Sequence, residues 1–285
     1  MTPILPPLRD VIRTHDLRAE KSLGQNFLLD QNITDKIVRL STVSFANLSG
    51  ITAIEIGPGP GGLTRSLLGS SATKVIAIEF DARAVTAITD LQKNYGDRLE
   101  IIHGDALHID ISTIAPAPRA IIANLPYNIS VILLAKWLEL IRKDKNAITF
   151  MALMFQKEVA DRILAAEGSK TYGRISVMAQ WLCTTKRLFD LPPSAFTPPP
   201  KIKSSVVQFI PRKMDQEAPP FHIMEKILAA AFQQRRKMIR SSLSEFASAM
   251  EHAGTDQKKR AEDLTVSDFV KIAQSVVLIN SRADS

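Results

Sequence analysis

An α/β fold on a mainly parallel sheet, followed by a smaller helical domain, is predicted by three features of this chain. Short β-rich runs alternate with helical patterns from residue 30 to about residue 155. A glycine-rich turn, Gly57 to Gly62, joins the first of these runs to its helix. Beyond a proline-dense segment, Leu191 to Lys201, the pattern turns helical. Alternation of this kind covers both faces of a parallel sheet with helices, and ligands then bind beyond the carboxyl ends of the strands.

The elements follow in order. Asp30 is a cap for a helix carrying Ile33, Ile37 and Leu40 on one side. Strands are expected over residues 51–57, 74–80, 99–103, 119–124 and 147–155, with helices over 62–68, 82–93 and 131–141. Leu191–Lys201 holds five of the sixteen prolines, which forbids a helix and predicts an extended, stiff stretch. Phe196 in its middle offers an apolar ring in a segment flanked by cations. After a strand over 205–210, helices are expected over 221–234, 236–250, 258–263 and 266–277. The resulting division is an extension over residues 1–20, a larger domain over 21–211 and a helical domain over 212–285.

Composition narrows the function. At 285 residues and 45% hydrophobic, the chain can bury the core of one or two domains. It has no apolar run of eighteen residues, and its start lacks a secretory hydrophobic segment, so a cytoplasmic protein without a membrane span is expected. The single cysteine, Cys183, excludes an internal disulfide and a thiolate-rich zinc site. The histidines show no metal-binding spacing; His103 and His108 flank Asp105, but no metal is expected. The net charge of +7 is uneven: residues 184–213 carry six Lys/Arg, Lys201 among them, against Asp190 alone. A second block, Gln233 to Arg240, holds Arg235, Arg236, Lys237 and Arg240 and no acid. Two such runs favour a polyanion as partner.

The chemistry concentrates in Asn124-Leu125-Pro126-Tyr127-Asn128, where an amide, a fixed bend and a flat ring meet at a strand end. The exocyclic amine of a nucleobase is a poor nucleophile because its lone pair is delocalised into the ring. The Asn124 amide oxygen and a backbone carbonyl, accepting its two N–H bonds, would localise that pair. Tyr127 could hold the base by stacking, at about 1–3 kcal/mol per base. The glycine turn also satisfies G-x-G-x-x-G at positions 57, 59 and 62, and Glu79, at the end of the next strand, could bind ribose hydroxyls. Those two features alone leave NAD and S-adenosylmethionine open. Pro58 and Pro60 remove two N–H groups that a pyrophosphate would use, and Asp105 ends a third strand as an acceptor for an adenine amine. Methyl transfer to an amine is therefore favoured over hydride transfer.

Taken together, these pieces resemble the small-subunit ribosomal RNA adenine-N6,N6-dimethyltransferases (the KsgA group). The matching motifs are Lys21–Leu28, Glu55–Gly59, Asn124–Ser130, Gln156–Glu158, Tyr172–Gln180, Pro192–Lys201 and Phe232–Lys237, in family order. The resemblance implies a Rossmann-like class I S-adenosylmethionine-dependent methyltransferase domain and a C-terminal helical RNA-binding domain. It implies that Asn26 and Leu28 contact the methionine end of S-adenosylmethionine, that Gly57 lines the cofactor, and that Glu79 and Asp105 hold its ribose and adenine. Asn124 and the Leu125 carbonyl would accept the target amine, with Tyr127 and Phe196 sandwiching the base. The implied substrate is two adjacent adenosines in a hairpin near the 3′ end of small-subunit rRNA, in an assembling subunit, with a monomeric enzyme. Rival readings are a methyltransferase for large-subunit rRNA, a DNA adenine methyltransferase, and an assembly-binding factor in which methylation is secondary.

Overall fold

A computed structural model of the protein describes residues 5–20, 24–45, 47–213 and 218–283. Lys21, Ser22 and Leu23 of the first motif lie outside the described residues. The chain forms two compact units. One comprises Met1–Lys136, Asn146–Ala160 and Lys186–Ile210; the other comprises Trp137–Lys145, Asp161–Thr185 and Pro211–Ser285.

The chain opens with α1 (Leu8–Thr14) and a two-residue strand β1 (Phe27–Leu28). Next come α2 (Gln31–Ser41), β2 (Thr52–Ile56), α3 (Gly62–Gly69), β3 (Lys74–Glu79), α4 (Ala82–Tyr95) and β4 (Leu99–His103). The alternation continues through α5 (Ile111–Ile114), β5 (Arg119–Asn124), α6 (Ser130–Lys143), β6 (Phe150–Gln156) and α7 (Lys157–Ile163). After α8 (Arg174–Leu182) come β7 (Cys183–Leu191), β8 (Phe196–Thr197) and β9 (Ser204–Pro211).

Among the described residues, seven strands form one sheet in the order β4-β3-β2-β5-β6-β9-β7. β4, β3, β2, β5 and β6 run parallel, and β9 runs antiparallel to β6. Strand order reverses between β2 and β5, so the Gly57 turn and the Asn124 turn leave neighbouring strands at the same end. Such a switch point is where open α/β sheets bind ligands. Ile54 pairs with Ile76 on one side and Ile121 on the other, and all three are at most 1% exposed. Each such side chain contributes roughly 1.5–3 kcal/mol when buried, which fixes the register that aligns the strand ends. Capping holds the helices that face this core. Asp30 accepts from the Asn32 N–H, Asp81 from Arg83 and Asp110 from Ser112, opening α2, α4 and α5.

In the second unit, α9 (Phe221–Gln233) and α12 (Val266–Ala283) bracket two short helices, α10 (Ile239–Ser242) and α11 (Ala247–His252). Phe232 on α9 meets Tyr172 edge-on at 6.1 Å and Phe269 at 5.7 Å, and all three belong to this unit. The single helix expected over 236–250 is broken. Met238 is extended and bridges to Arg260, so helix begins only at Ile239 and restarts at Ala247. Residues 258–263 make one 3-10 turn, Ala261–Asp263, instead of a helix. No helix among the described residues is long and apolar enough to cross a membrane.

Candidate active site

One cleft at the switch point is lined by Asn26, Leu28, Gly57, Glu79, Asp105, Asn124, Leu125, Pro126 and Tyr127. Five separate strand ends or loops thus deliver the residues singled out from the sequence to one place. Phe196 is not on the cleft wall. It is 3% exposed, packs in the main hydrophobic core and pairs through β8 with Leu28 of β1. Lys201, Arg235, Arg236, Lys237 and Arg240 are exposed.

The glycine turn is committed to internal partners. Gly57 N–H donates to the Ile78 carbonyl at 2.9 Å, Gly59 N–H to Glu79 Oε2 at 3.1 Å and Gly61 N–H to the Pro58 carbonyl at 3.0 Å. With Pro58 and Pro60 lacking donors, the turn keeps no glycine N–H of this set for a pyrophosphate. The glycines serve close approach instead. A Cβ at position 62 would sit 2.5 Å from the Leu28 carbonyl oxygen, and one at position 59 would sit 2.8 Å from the Phe27 ring. The segment carrying Asn26 and Leu28 lies directly on the turn because these two positions have no side chain.

That segment is tied at three points. Gln25 Nε2 donates to Asp81 Oδ2 at 3.1 Å. The β1–β8 pairing joins Leu28 to Phe196. The Asn124 side-chain amide donates to the Asn26 carbonyl at 2.9 Å. A carbonyl can pair only with the NH2 end of an amide, so this bond fixes which way Asn124 faces. Its Oδ1 is left as an acceptor, and among the described residues no donor bonds to it. Leu125 anchors the turn in the core at 2% exposure, and Pro126 packs 3.6 Å from the position a Cβ on Gly57 would take.

The acids of the cleft differ in environment. Glu79 is 5% exposed and accepts backbone N–H bonds from Gly59, Phe80 and Asp81. Its pKa is raised, chiefly by burial and further by the charge of Asp81, with those three bonds opposing the rise. Its orientation is therefore set by the backbone, leaving carboxylate lone pairs for hydroxyl donors. Asp105 Oδ1 takes the Leu107 N–H at 2.9 Å, and Lys136 Nζ pins the following loop through the Leu107 and Ile109 carbonyls at 2.9 and 2.7 Å.

Two cleft residues carry no role in the sequence reading. Glu55 is 2% exposed and its Oε2 has no hydrogen-bond partner. Burial pushes its carboxyl up to about 8, the charge of Glu79 adds to this, and the Thr64 hydroxyl opposes it. A buried carboxyl oxygen without a partner in a residue that lines a cleft suits a cationic ligand. Phe80, beside Glu79, is 61% exposed on the cleft wall, as suits a ring waiting for a flat partner. Glu55 opens the glycine motif in sequence and Phe80 follows the strand-end acid, so both positions were legible, but their burial and exposure were not.

The chain matches the family model for ribosomal RNA adenine dimethylase over residues 16–277. It is 48% identical over 275 residues to the ribosomal RNA small subunit methyltransferase A of Rhodospirillum rubrum, covering 95% of this chain and 93% of that one. It is 49% identical over 278 residues to the same-named protein of Afipia carboxidovorans, covering 96% of each. Among solved structures it is similar to a dimethyladenosine transferase from Plasmodium falciparum, with a TM-score of 0.72, 27% identity, and 89% of this chain and 97% of that one covered. The 23S rRNA methyltransferase ErmE shares the fold, with a TM-score of 0.64 at 20% identity over 88% of this chain and 100% of that one. Full-length family match, sheet topology and cleft agree: this chain belongs to the ribosomal RNA adenine dimethylase family, enzymes that use S-adenosylmethionine to methylate rRNA adenines.

Proposed function

We propose that the protein dimethylates N6 of two adjacent adenosines in a hairpin near the 3′ end of small-subunit rRNA. It acts as a monomer in the cytoplasm, on a subunit still being assembled. The observation that carries this reading is the Asn26–Asn124 bond, which leaves the Asn124 Oδ1 as an acceptor in a cleft that Glu79 and Asp105 also line. The names of the bacterial relatives support the small subunit as substrate, whereas the large-subunit enzyme shares only the fold. The helical unit with Arg236, Lys237 and Arg240, together with Lys201, supplies phosphate contacts that give affinity but not sequence choice.

The cleft suits S-adenosylmethionine. Glu79 would hold the ribose, Asp105 and Phe80 the adenine, and Asn26, Leu28 and the orphaned Glu55 carboxyl the cationic methionine end. The bound cofactor supplies a methyl group on a positive sulfur. Asn124 Oδ1 and the Leu125 carbonyl accept the two N–H bonds of the target amine, which returns its lone pair to nitrogen. Tyr127 holds the unstacked base against the cleft; Phe196 joins that stack only by turning out of the core. Fixing amine and acceptors together can supply about 7–11 kcal/mol of the barrier. No side chain needs to act as an early base, since the methylated amine is strongly acidic and solvent can take its proton. A hairpin nucleotide leaves its stack more cheaply than one in a duplex.

The test is transfer of labelled methyl groups to small subunits lacking the modification, alongside large subunits and mature small subunits. Dimethyladenosine only in the unmodified small-subunit RNA is expected. Modification of large-subunit RNA instead would defeat the substrate assignment, and binding without transfer would return the protein to an assembly role.

A further inference from the structure

The Tyr127 hydroxyl has a partner that neither the family motif nor the amine chemistry requires. Stacking uses only a ring face, and a phenylalanine would serve it equally. Here the hydroxyl lies 2.6 Å from the Ser204 Oγ. Ser204 is fully buried on β9, opposite Gln156 of β6 in the antiparallel register. A buried hydroxyl without a partner costs free energy, so this bond is held by both residues. The backbone end of Tyr127 is fixed as well, because its carbonyl accepts from Ser130 Oγ at 3.0 Å. The ring is thus fastened at its α-carbon by the loop and at its hydroxyl by the sheet.

We propose that Ser204 is a positioning residue, whose hydroxyl sets the plane of the Tyr127 ring before the target adenine arrives. The inference rests on the reading of Tyr127 as the stacking ring and deepens it. A free ring would lose rotamer freedom when the base stacks, and a ring tethered beforehand has already lost it. The tether also keeps the base the same distance from Asn124 after the first methyl is added, when one N–H bond is gone.

The neighbouring Ser205 gives an internal control. Successive strand residues point to opposite faces, and the Ser205 hydroxyl donates to Asp190 Oδ1 at 2.6 Å, away from Tyr127. The experiment compares wild type with Ser204→Ala, Tyr127→Phe, the double variant, Ser205→Ala and Tyr127→Ala. It measures kcat/KM for unmodified small subunits, cofactor affinity and melting temperature. Ser204→Ala and Tyr127→Phe should each lower kcat/KM about 3- to 10-fold, the range expected for one net hydrogen bond. The double variant should be no worse than the worse single one, with cofactor affinity unchanged throughout. Ser205→Ala should stay within about twofold of wild type, since its bond lies on the other face. Full turnover in Ser204→Ala, or losses that multiply in the double variant, would overturn the tether while leaving Tyr127 as the stacking ring. Full turnover in Tyr127→Ala would overturn the stacking reading and the tether with it.

Discussion

The cleft of the first unit and the basic turn of the second put polar groups to opposite uses. Around the cleft many polar groups are held by internal partners: three glycine N–H groups by internal acceptors, Glu79 by three backbone donors, the Asn124 NH2 by Asn26 and the Tyr127 hydroxyl by Ser204. In the basic turn all four cations are exposed, and one of them, Arg235, is tethered. Arg235 donates through one guanidinium nitrogen to the carbonyls of Lys170 and Tyr172 at 3.0 and 2.6 Å and lies 3.5 Å from Glu262. Arg236, Lys237 and Arg240 stand in solvent. Chemistry on an amine needs acceptors that do not reorganise, whereas a phosphate backbone of variable course is better met by cations free in solvent.

Breaking the fixed region should have the largest effect. Gly62→Ala places a methyl against the Leu28 carbonyl, which cannot yield without displacing the segment from Gly24 to Leu28. A loss of cofactor affinity of about 100-fold or more is expected by calorimetric titration, or a strongly lowered melting temperature, since backbone conflicts cost several kcal/mol. Near-normal affinity and stability would mean that the close packing has no role. Next comes the basic turn. Replacing Arg236, Lys237 and Arg240 with alanine should weaken RNA binding and flatten the slope of log affinity against log salt by about 2–3, at roughly 0.7–0.9 per phosphate contact. An unchanged slope would make the run an ordinary solvated face.

A smaller effect sharpens the contrast through pH. Glu55 titrates near 8 in the folded protein and near its ordinary 4.5 when unfolded, so the native state binds the extra proton between those values. Its contribution to stability is complete below about 4.5 and is lost as pH rises through about 8. Glu55→Gln should therefore gain in melting temperature relative to wild type above pH 8. Over the same range wild type should bind the cationic cofactor more tightly as the carboxylate forms, and the variant should show no such rise. A variant that keeps the wild-type pH profile would remove Glu55 from the site. The smallest change is expected from Arg235→Lys, which loses the geometry of two carbonyl contacts but keeps the charge. A fall of a few degrees in melting temperature, with the salt slope altered by less than one, would mark Arg235 as the pin of the loop.

Much of the first unit was legible because its strands are short apolar runs ended by chemistry-bearing residues. Leu99–His103 and Arg119–Asn124 form as expected, and the others shift by a few residues at their ends. Gly57, Glu79, Asp105 and the Asn124 turn were legible for the same reason, since each lies at or just after a strand end, whereas Asn26 and Leu28 came only from the family resemblance. What the sequence hid is contact at a distance. Nothing local announces that Asn26 will orient Asn124 ninety-eight residues away. Nor does local pattern show that Ser204 will meet Tyr127 across seventy-seven residues, or that Phe196 will pack inward. Trp137–Lys145 and Asp161–Thr185 belong to the second unit through contacts that periodicity does not record. The helical pattern over 236–250 failed because the Met238–Arg260 bridge outweighs helix propensity there.

The account turns on the Asn124 amide oxygen, and one comparison tests it directly. Asn124→Ala and wild type would be incubated with unmodified small subunits and labelled S-adenosylmethionine, with cofactor affinity measured in parallel. The account predicts a loss in turnover of about 10²–10³-fold or more, the scale for removing one preorganised polar contact to a reacting group, with cofactor affinity within a few-fold of wild type. Turnover that survives in the variant, or a loss explained wholly by weaker cofactor binding, would contradict it.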